Sequence, residues 1–458
     1  MKNYHLVGIG GVGMSAIATL LMKRDLKLSG SDIRENQIIR DLKEKGVDIN
    51  IGHRRKNLSK NVEALVLSSA IGDDNPEIIE AKRRGIPIYG RAQVLSWLMK
   101  GKKIITVTGA HGKTTTASLI AYILSHAGLN PTVAIGGVAK NFSINAWQGD
   151  GDYFVAEADE SDGSFLNFKP DFSIITNIDN EHLDYYGSFD SLLDSFAKFI
   201  DGTRDGGTIL IDYCDKNLQT LVNNSGKHYK TFGLDRNADI RAENIKTLSF
   251  GLQFDCLLAS KRLARISLPL IGEHNIINCL AAILLSLELN IDLNRIIQAI
   301  KDYQGTWRRL DLKFRSPKIM LIDDYAHHPT EIKATLKAVK ELITANKSYQ
   351  KIITVFQPHR FSRTKLLLGE FIGAFDLCDD LIITDIYSAT EKPIKGINAK
   401  ILYEEIKKAK KDNVYYLEKQ DIIDHVLKHL SGSDVVLFLG AGDITKLADE
   451  FREVLERI

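Results

Sequence analysis

Residues 103–124 read KIITVTGAHGKTTTASLIAYIL, and the order of residue types in this stretch decides the fold. A β-branched apolar run ends at Thr108, glycines follow at 109 and 112, and Ala117, Ile120, Leu124 and Ala127 then recur at helical spacing. A strand that stops in a Gly-rich turn and restarts as a helix aims backbone N–H groups and the positive end of a helix dipole at one spot, which suits an anion. Lys113 adds an ammonium and Thr114 a hydroxyl. In phosphate-binding loops the lysine reaches the β/γ-phosphates and the hydroxyl coordinates Mg²⁺, so a nucleoside triphosphate is the expected ligand. The match to the general GxxxxGK[ST] pattern is incomplete, because Val107 stands five before Gly112. A glycine turn that merely caps a helix is the bland alternative; strand, glycines, lysine and threonine in one register weigh against it.

The same design occurs twice more, in HLVGIGGVGMSAIATLL from His5 and in KIITVFQPHRFSRTKLLL from Lys351. Each is the strand-loop-helix unit of a parallel α/β sheet, in which ligands sit beyond the carboxyl ends of the strands. The expectation is an α/β chain of three domains. A Rossmann-like N-terminal domain precedes a central domain of P-loop ATPase type, its sheet mostly parallel with a small antiparallel part, and a C-terminal Rossmann-like domain follows. At about 150 residues per domain, 458 residues agree with that number. The polar break at Lys100-Gly101-Lys102-Lys103 and the glycine at Gly305 set boundaries at 1–100, 101–305 and 306–458. Residues 207 to about 270 alternate in short apolar runs such as ISLPLI, which suggests antiparallel strands, whereas CLAAILLSLEL at 279–289 contains Glu288 and reads as a core helix.

Hydrophobic residues make up 44% and charged residues 26%, which excludes a disordered polymer and a disulfide-dense mini-protein. Sixty Lys and Arg against 58 Asp and Glu leave a formal charge of +2, too balanced for a surface that grips nucleic acid or anionic lipid. The basic runs 53–56 and 407–411 lack interleaved aromatics and read as solvated faces. Cys214, Cys256, Cys279 and Cys378 form no CxxC pair, and no stretch approaches the roughly 20 apolar residues of a membrane span. A reducing cytoplasm, with neither membrane nor nucleic acid as partner, is the expected setting.

Gly8-Ile-Gly10-Gly11-Val-Gly13 satisfies GxGxxG between a strand and a helix, and Asp32 ends the next strand. By the dinucleotide fingerprint this is an NAD site with Asp32 on the ribose. The second nucleotide loop at 108–114 weakens that assignment, since the same backbone cradle holds the diphosphate of a nucleotide-sugar. Downstream, DYFVAEADE at 152–160 starts as a buried strand and places Glu157 at its loop end, and the strand SIITNI leads to Glu181-His182. Mg²⁺ takes oxygen ligands, one or two of them from protein, so Glu157 pairs with Thr114. His182 is a less fitting ligand for so hard an ion.

Taken together, these motifs resemble the ATP-dependent Mur ligases of peptidoglycan synthesis. The resemblance is carried by the TGxxGK[ST] form of the loop, Glu157-Ala-Asp-Glu-Ser-Asp162, Thr176-Asn-Ile, Gly272-Glu-His274-Asn275-Ile-Ile-Asn278, Gly305-Thr-Trp-Arg308-Arg309 and Asp323-Asp324-Tyr325-Ala-His327-His328. It runs from residue 5 to GAGD at 440–443. GIGGVGMSAIA, EADESDGSFL, DDYAHHPTE and QPHRFSRT are most similar to the branch that adds the first amino acid, L-alanine, to UDP-N-acetylmuramate.

The resemblance implies that ATP phosphorylates the muramyl carboxylate and that the alanine amine attacks the resulting acyl phosphate. It implies phosphate binding by Gly109, Ala110, His111, Gly112, Lys113, Thr114 and Thr115, with Mg²⁺ on Thr114 and Glu157 and a second ion assisted by His182. Arg309 corresponds to a phosphate contact, His274, Asn275 and Asn278 to residues near adenine, and Asp324 and Tyr325 to ribose and adenine contacts. Without the family, Arg309 would be a surface ion-pair arginine and the 274–278 group helix caps. His327, Arg360 and Arg363 correspond to the amino-acid site, where a guanidinium can grip a carboxylate bidentately. Gly11, Val12, Ser31, Asp32, His53 and Ser69 fall in the part resembling the UDP-sugar domain. Lys113, Glu157, His182, Arg309 and His327 are thereby the expected catalytic set. Ala110, Leu310 and Glu181 depart from the usual Thr, Phe and Asp of close relatives. The DNPR motif of diaminopimelate-adding relatives is not found in the third domain, and Asp74-Asn75-Pro76-Glu77 in the first is a chance echo. A recycling ligase that joins a preformed peptide to the same sugar nucleotide, an NAD-dependent oxidoreductase resting on residues 8–32, and a non-catalytic nucleotide-binding module remain alternatives. Monomer and dimer both stay open.

Overall fold

The computed structural model describes residues 2–24, 26–389, 391–410 and 412–457; Lys411, at the end of one basic run, lies outside them. The chain divides into two compact units, one of Met1–Glu243, Cys256–Ala264 and Ile277–Tyr303, the other of Asn244–Asp255, Arg265–Ile276 and Gln304–Ile458. The described residues form three sheets, so the α/β architecture expected from the three strand-loop-helix units is present.

The first sheet has five strands in the order third, second, first, fourth, fifth, with Asn3–Val7 at its centre. All its pairings are parallel. Its helices start and stop where local chemistry dictates. Asn36 caps Gln37–Glu44 by accepting from Ile39 N. Asn75 caps Pro76–Arg84, with proline in the first turn, where its missing N–H costs nothing, and Gly85 in the left-handed conformation at the end.

In the second sheet the phosphate-loop strand Lys103–Thr108 lies between Tyr153–Glu157 and Phe172–Ile175, parallel to both. These strands are buried on both faces, which is why they read as unbroken apolar runs. Helix Lys113–His126 is buried nearly all round from Thr114 to Leu124, so it sits in the core of its unit. Thr132–Ala139 pairs antiparallel with Ile144–Trp147, outside the 207–270 segment where antiparallel strands are expected. The expectation for residues 207–270 is corrected in part. Thr208–Asp212 and Tyr229–Gly233 pair in parallel, joined by a helix, Lys216–Ser225, whose cap Asp215 accepts from Asn217 N and Leu218 N. Three strands then follow between 240 and 268. All of the run CLAAILLSLEL but its last residue, Leu289, lies in helix Glu273–Glu288, and it is buried from Cys279 to Leu285.

The third sheet, in the second unit, has six strands with Asp311–Arg315 antiparallel at one edge and the rest parallel. Asp434–Leu439, buried at every position, lies between Ile319–Asp324 and Lys351–Phe356. Among the described residues no helix is long and apolar enough to cross a membrane.

Candidate active site

The phosphate loop is held open by its neighbours. Gly109 has φ +121° and Gly112 +85°, and a Cβ on Gly109 would lie 2.3 Å from Thr176 Oγ1 and 2.7 Å from Asn177 O, so only glycine fits there. The end of the neighbouring strand clamps the loop: Ala110 N donates to Asn177 O at 3.1 Å, His111 N donates to Asn177 Oδ1 at 2.9 Å, and Thr176 Oγ1 donates to His111 O at 2.6 Å. The His111 ring meets Asp179 Oδ2 at 2.8 Å. Gly112 caps the helix with no side-chain bond to the first-turn N–H groups, the arrangement an anion completes. Thr114 and Thr115 are buried at the helix start.

Carboxylates ring the mouth of this loop. Thr114 Oγ1 donates to Glu157 Oε2 at 3.1 Å, and Gly136 N donates to Glu157 Oε1 at 2.6 Å. These are the hard oxygen donors Mg²⁺ prefers, so the pair fits the ion. Lys113 Nζ donates to Gly109 O at 2.6 Å, Ala110 O at 3.2 Å and Glu160 Oε1 at 2.7 Å. Burial alone would lower the Lys113 pKa, but Glu160 and Asp159 outweigh it and raise it, so the ammonium stays charged. His182, at φ +59°, places Nε2 3.6 Å from Glu160 Oε1 and 3.4 Å from Glu181 Oε2. Burial pulls its pKa down, the two carboxylates more than compensate, and it is pushed up to about 9. An imidazolium has no lone pair for a metal, so ligation by His182 entails losing that proton. Asn278 lies beneath the loop: its Oδ1 accepts from Thr116 Oγ1 at 3.1 Å and would sit 2.5 Å from a Cβ on Gly112.

The first glycine loop adjoins this machinery in the same unit. Asp32 gives Oδ2 to Gly10 N at 2.9 Å and Oδ1 to Ile33 N at 2.8 Å, so its carboxylate orders the loop. Gly11 and Val12 are exposed at the start of helix Val12–Met22, as is Ser69. Ser31 and His53 instead meet around a buried anion: Glu77 Oε2 accepts from Ser31 Oγ at 2.6 Å and lies 3.3 Å from His53 Nδ1, and Oε1 accepts from Asn57 Nδ2 at 2.5 Å. Burial would raise the Glu77 pKa, but the His5 ring 3.7 Å away and hydrogen bonds from Ser31 and Asn57 hold it down at about 2. Arg91 lies against Gly13 and reaches Asp159 Oδ2 at 3.4 Å, joining the two loops.

In the second unit a separate cluster gathers at the carboxyl ends of the third sheet. Arg308 and Arg309 pack on the Tyr325 ring, 4.9 and 4.8 Å from its centre, and Arg309 keeps a third of its side chain exposed. Asp324 is buried, accepting from Leu310 N at 2.5 Å and Ala326 N at 2.8 Å, so it fixes the loops bearing Arg309 and Tyr325. Desolvation pushes its pKa up to about 6, against the pull of Arg309. His327 Nδ1 meets Tyr325 O at 3.0 Å and its ring faces His359 at 5.4 Å. His359 stacks on Tyr387, and its Nδ1 accepts from Arg363 Nη1 at 3.1 Å. Burial, reinforced by His327, Arg363 and Arg360, pushes its pKa down to about 2 and keeps it neutral. Arg360, exposed at φ +69°, donates its N–H to Tyr387 O at 2.8 Å. His274 and Asn275 follow Gly272 at φ +89°, and Asn275 Nδ2 donates to Ile271 O at 2.8 Å.

Glu77, Glu160, Arg91, His359 and Tyr387 were not singled out by sequence. His359 lies in QPHRFSRT and Glu160 in EADE, so both belong to motifs that carry the family resemblance. Tyr387 carried no local signal.

Known proteins bear the same pattern. Residues 3–103 match the model described as Mur ligase family, catalytic domain, residues 107–286 the Mur ligase middle domain, and residues 308–442 the Mur ligase, glutamate ligase domain. The chain is 42% identical over 457 residues to a UDP-N-acetylmuramate--L-alanine ligase of Geotalea uraniireducens, covering 100% of this chain and 98% of that one. It is also 42% identical over 451 residues to the protein of that name from Aquifex aeolicus, covering 98% and 97%. The crystal structure of a UDP-N-acetylmuramate-alanine ligase from Thermotoga maritima superimposes with a TM-score of 0.86 at 30% identity over 100% of both chains. A murein peptide ligase from Psychrobacter arcticus shares the fold at 22% identity and a TM-score of 0.72. With all three sheets, the phosphate loop and its acidic mouth in place, and this likeness spanning the whole length, the chain belongs to the Mur ligase family.

Proposed function

We propose that this chain joins L-alanine to the muramyl carboxylate of UDP-N-acetylmuramate, converting ATP to ADP and phosphate, in the cytoplasmic synthesis of peptidoglycan precursor. The observation that carries this is full-length likeness, at 40–43% identity, to relatives named UDP-N-acetylmuramate--L-alanine ligase. Residues 1–100 hold the sugar nucleotide, 101–305 the ATP phosphates, and 306–458 the amino acid while completing the ATP site.

A carboxylate is a poor electrophile without a leaving group, and phosphorylation supplies one as an acyl phosphate. The protein's task is to position the reactants and stabilise charge on the moving phosphoryl group. Lys113 and the N–H groups of residues 109–115 bind its oxygens, and Arg309 supplies a further cation. Thr114 and Glu157 would hold Mg²⁺, which neutralises phosphate charge when bound; His182, in its neutral form, would be a ligand for a second ion. His274, Asn275, Asn278, Asp324 and Tyr325 form the nucleoside side of the site. Gly11, Val12, Ser31, Asp32, His53 and Ser69 form the sugar-nucleotide side. Arg360 and Arg363 hold the alanine carboxylate, with His327 beside the attacking amine.

Phosphate release from ATP with UDP-N-acetylmuramate, offering L-alanine, glycine, L-serine and a tripeptide in separate reactions, tests the proposal. Turnover with L-alanine is expected. Turnover with the tripeptide alone would make the chain a recycling ligase.

A further inference from the structure

We propose that Glu160 is a positioning residue that competes with the nucleotide's phosphate for Lys113, so that phosphate binding transfers the ammonium from this carboxylate to the ligand. The proposal rests on residues 108–114 being the nucleotide loop.

An ammonium has three donors and no more. Those of Lys113 are all engaged, at 2.6 Å to Gly109 O, 3.2 Å to Ala110 O and 2.7 Å to Glu160 Oε1. A phosphate oxygen therefore joins this set only by exchange. Two of the three acceptors are neutral carbonyls of the loop itself, and Glu160 is the anion. A carboxylate and a phosphate on one ammonium repel each other strongly where water is scarce, so the carboxylate is the partner that yields.

Glu160 has somewhere to turn. Its side chain is 2% exposed, so it stays within the protein when Lys113 leaves. His182 Nε2 is 3.6 Å away and Thr108 Oγ1 3.5 Å away. The Tyr186 hydroxyl donates to the Glu160 backbone carbonyl, which fixes the residue while its carboxylate changes partner. A buried carboxylate without a polar partner is costly, and the Thr108 hydroxyl and the His182 ring both lie within a small side-chain rotation of it after the exchange. Glu160 thus lowers nucleotide affinity, and it ties the position of Lys113 to that of His182. Glu160 touches no reacting atom, so it acts only through those two side chains.

Calorimetric titration of the full-length protein with ADP in EDTA, paired with steady-state kinetics in Mg²⁺, tests this. Glu160→Gln keeps a hydrogen-bond acceptor and removes the charge. It should bind ADP about tenfold more tightly than wild type, the difference between a charge-assisted and a neutral hydrogen bond, while kcat falls about tenfold or more as Lys113 and His182 lose their shared anchor. Glu160→Asp keeps the charge one methylene further from Lys113 and should lie between on both measures. In a Lys113→Ala background the gain in ADP affinity should vanish. A merely structural role would lower stability without tightening ADP. Unchanged or weaker ADP binding by Glu160→Asp and by any folded Glu160→Gln, with wild type binding normally, overturns the competition alone; a gain that persists without Lys113 does the same. Failure of wild type to bind ADP overturns the loop assignment and this proposal with it. Should Glu160→Gln not fold, Glu160→Asp decides the matter.

Discussion

Arg360 and Arg363 are one helical turn apart, and the structure fixes them by different means. Arg360 is anchored through its backbone N–H on Tyr387 O, which leaves its guanidinium exposed, whereas Arg363 is steered by neutral His359. A charge-assisted bond to a carboxylate is worth about 1.5–3 kcal/mol. Arg360→Ala should therefore raise KM for alanine about tenfold or more and change KM for ATP little; an unaltered alanine KM would remove Arg360 from the amino-acid site. Glu77 shows what local sequence conceals. In Asp74-Asn75-Pro76-Glu77 only a helix start is legible, because Ser31, His53, Asn57 and His5 reach that carboxylate from other segments. Its pKa is depressed from 4.5 to about 2, so its stabilising contribution is complete above pH 4.5 and is lost as pH falls toward 2. Glu77→Gln should destabilise the protein by about 1–3 kcal/mol at pH 7, and the gap to wild type should close between pH 4.5 and 2. Urea melts at pH 7 and pH 3 would show it, and a gap independent of pH would mean that charge is not the cause.

At the scale of elements, the strand-loop-helix units were legible because each writes its periodicity, glycines and caps into one contiguous segment. Helix Lys216–Ser225 was hidden by the alternating runs on either side, and its signal, Asp215 before Leu218 and Val222, is short. The clamp on the phosphate loop was not legible either, since Thr176 and Asn177 come from a strand 68 residues beyond Thr108. The loop and its clamp form one device. Gly109→Ala places a methyl carbon 2.3 Å from Thr176 Oγ1 and 2.7 Å from Asn177 O in a backbone region that side chains avoid. Strain of that kind costs on the order of 1–3 kcal/mol, and relief by shifting the loop moves the phosphate N–H groups. ADP binding should weaken at least tenfold while circular dichroism stays unchanged; native ADP affinity would show that the loop tolerates a side chain.

At the scale of the whole molecule, the residues expected on one ATP are divided between the two units, Lys113 and Glu157 in the first and Arg309 and Asp324 in the second. Each unit has a buried core of its own. The sequence by itself determined the three α/β sheets, the phosphate loop with Lys113 and Thr114, the loop-end position of Glu157 and the family, because each depends on residues adjacent in the chain. Only the tertiary structure decided which groups share a charge: Glu160 between Lys113 and His182, Glu77 beneath Ser31 and His53, and His359 behind Arg363. Those pairings depend on distances across segments far apart in sequence, and Coulomb and desolvation energies are set by distance and burial, which the order of residues does not record.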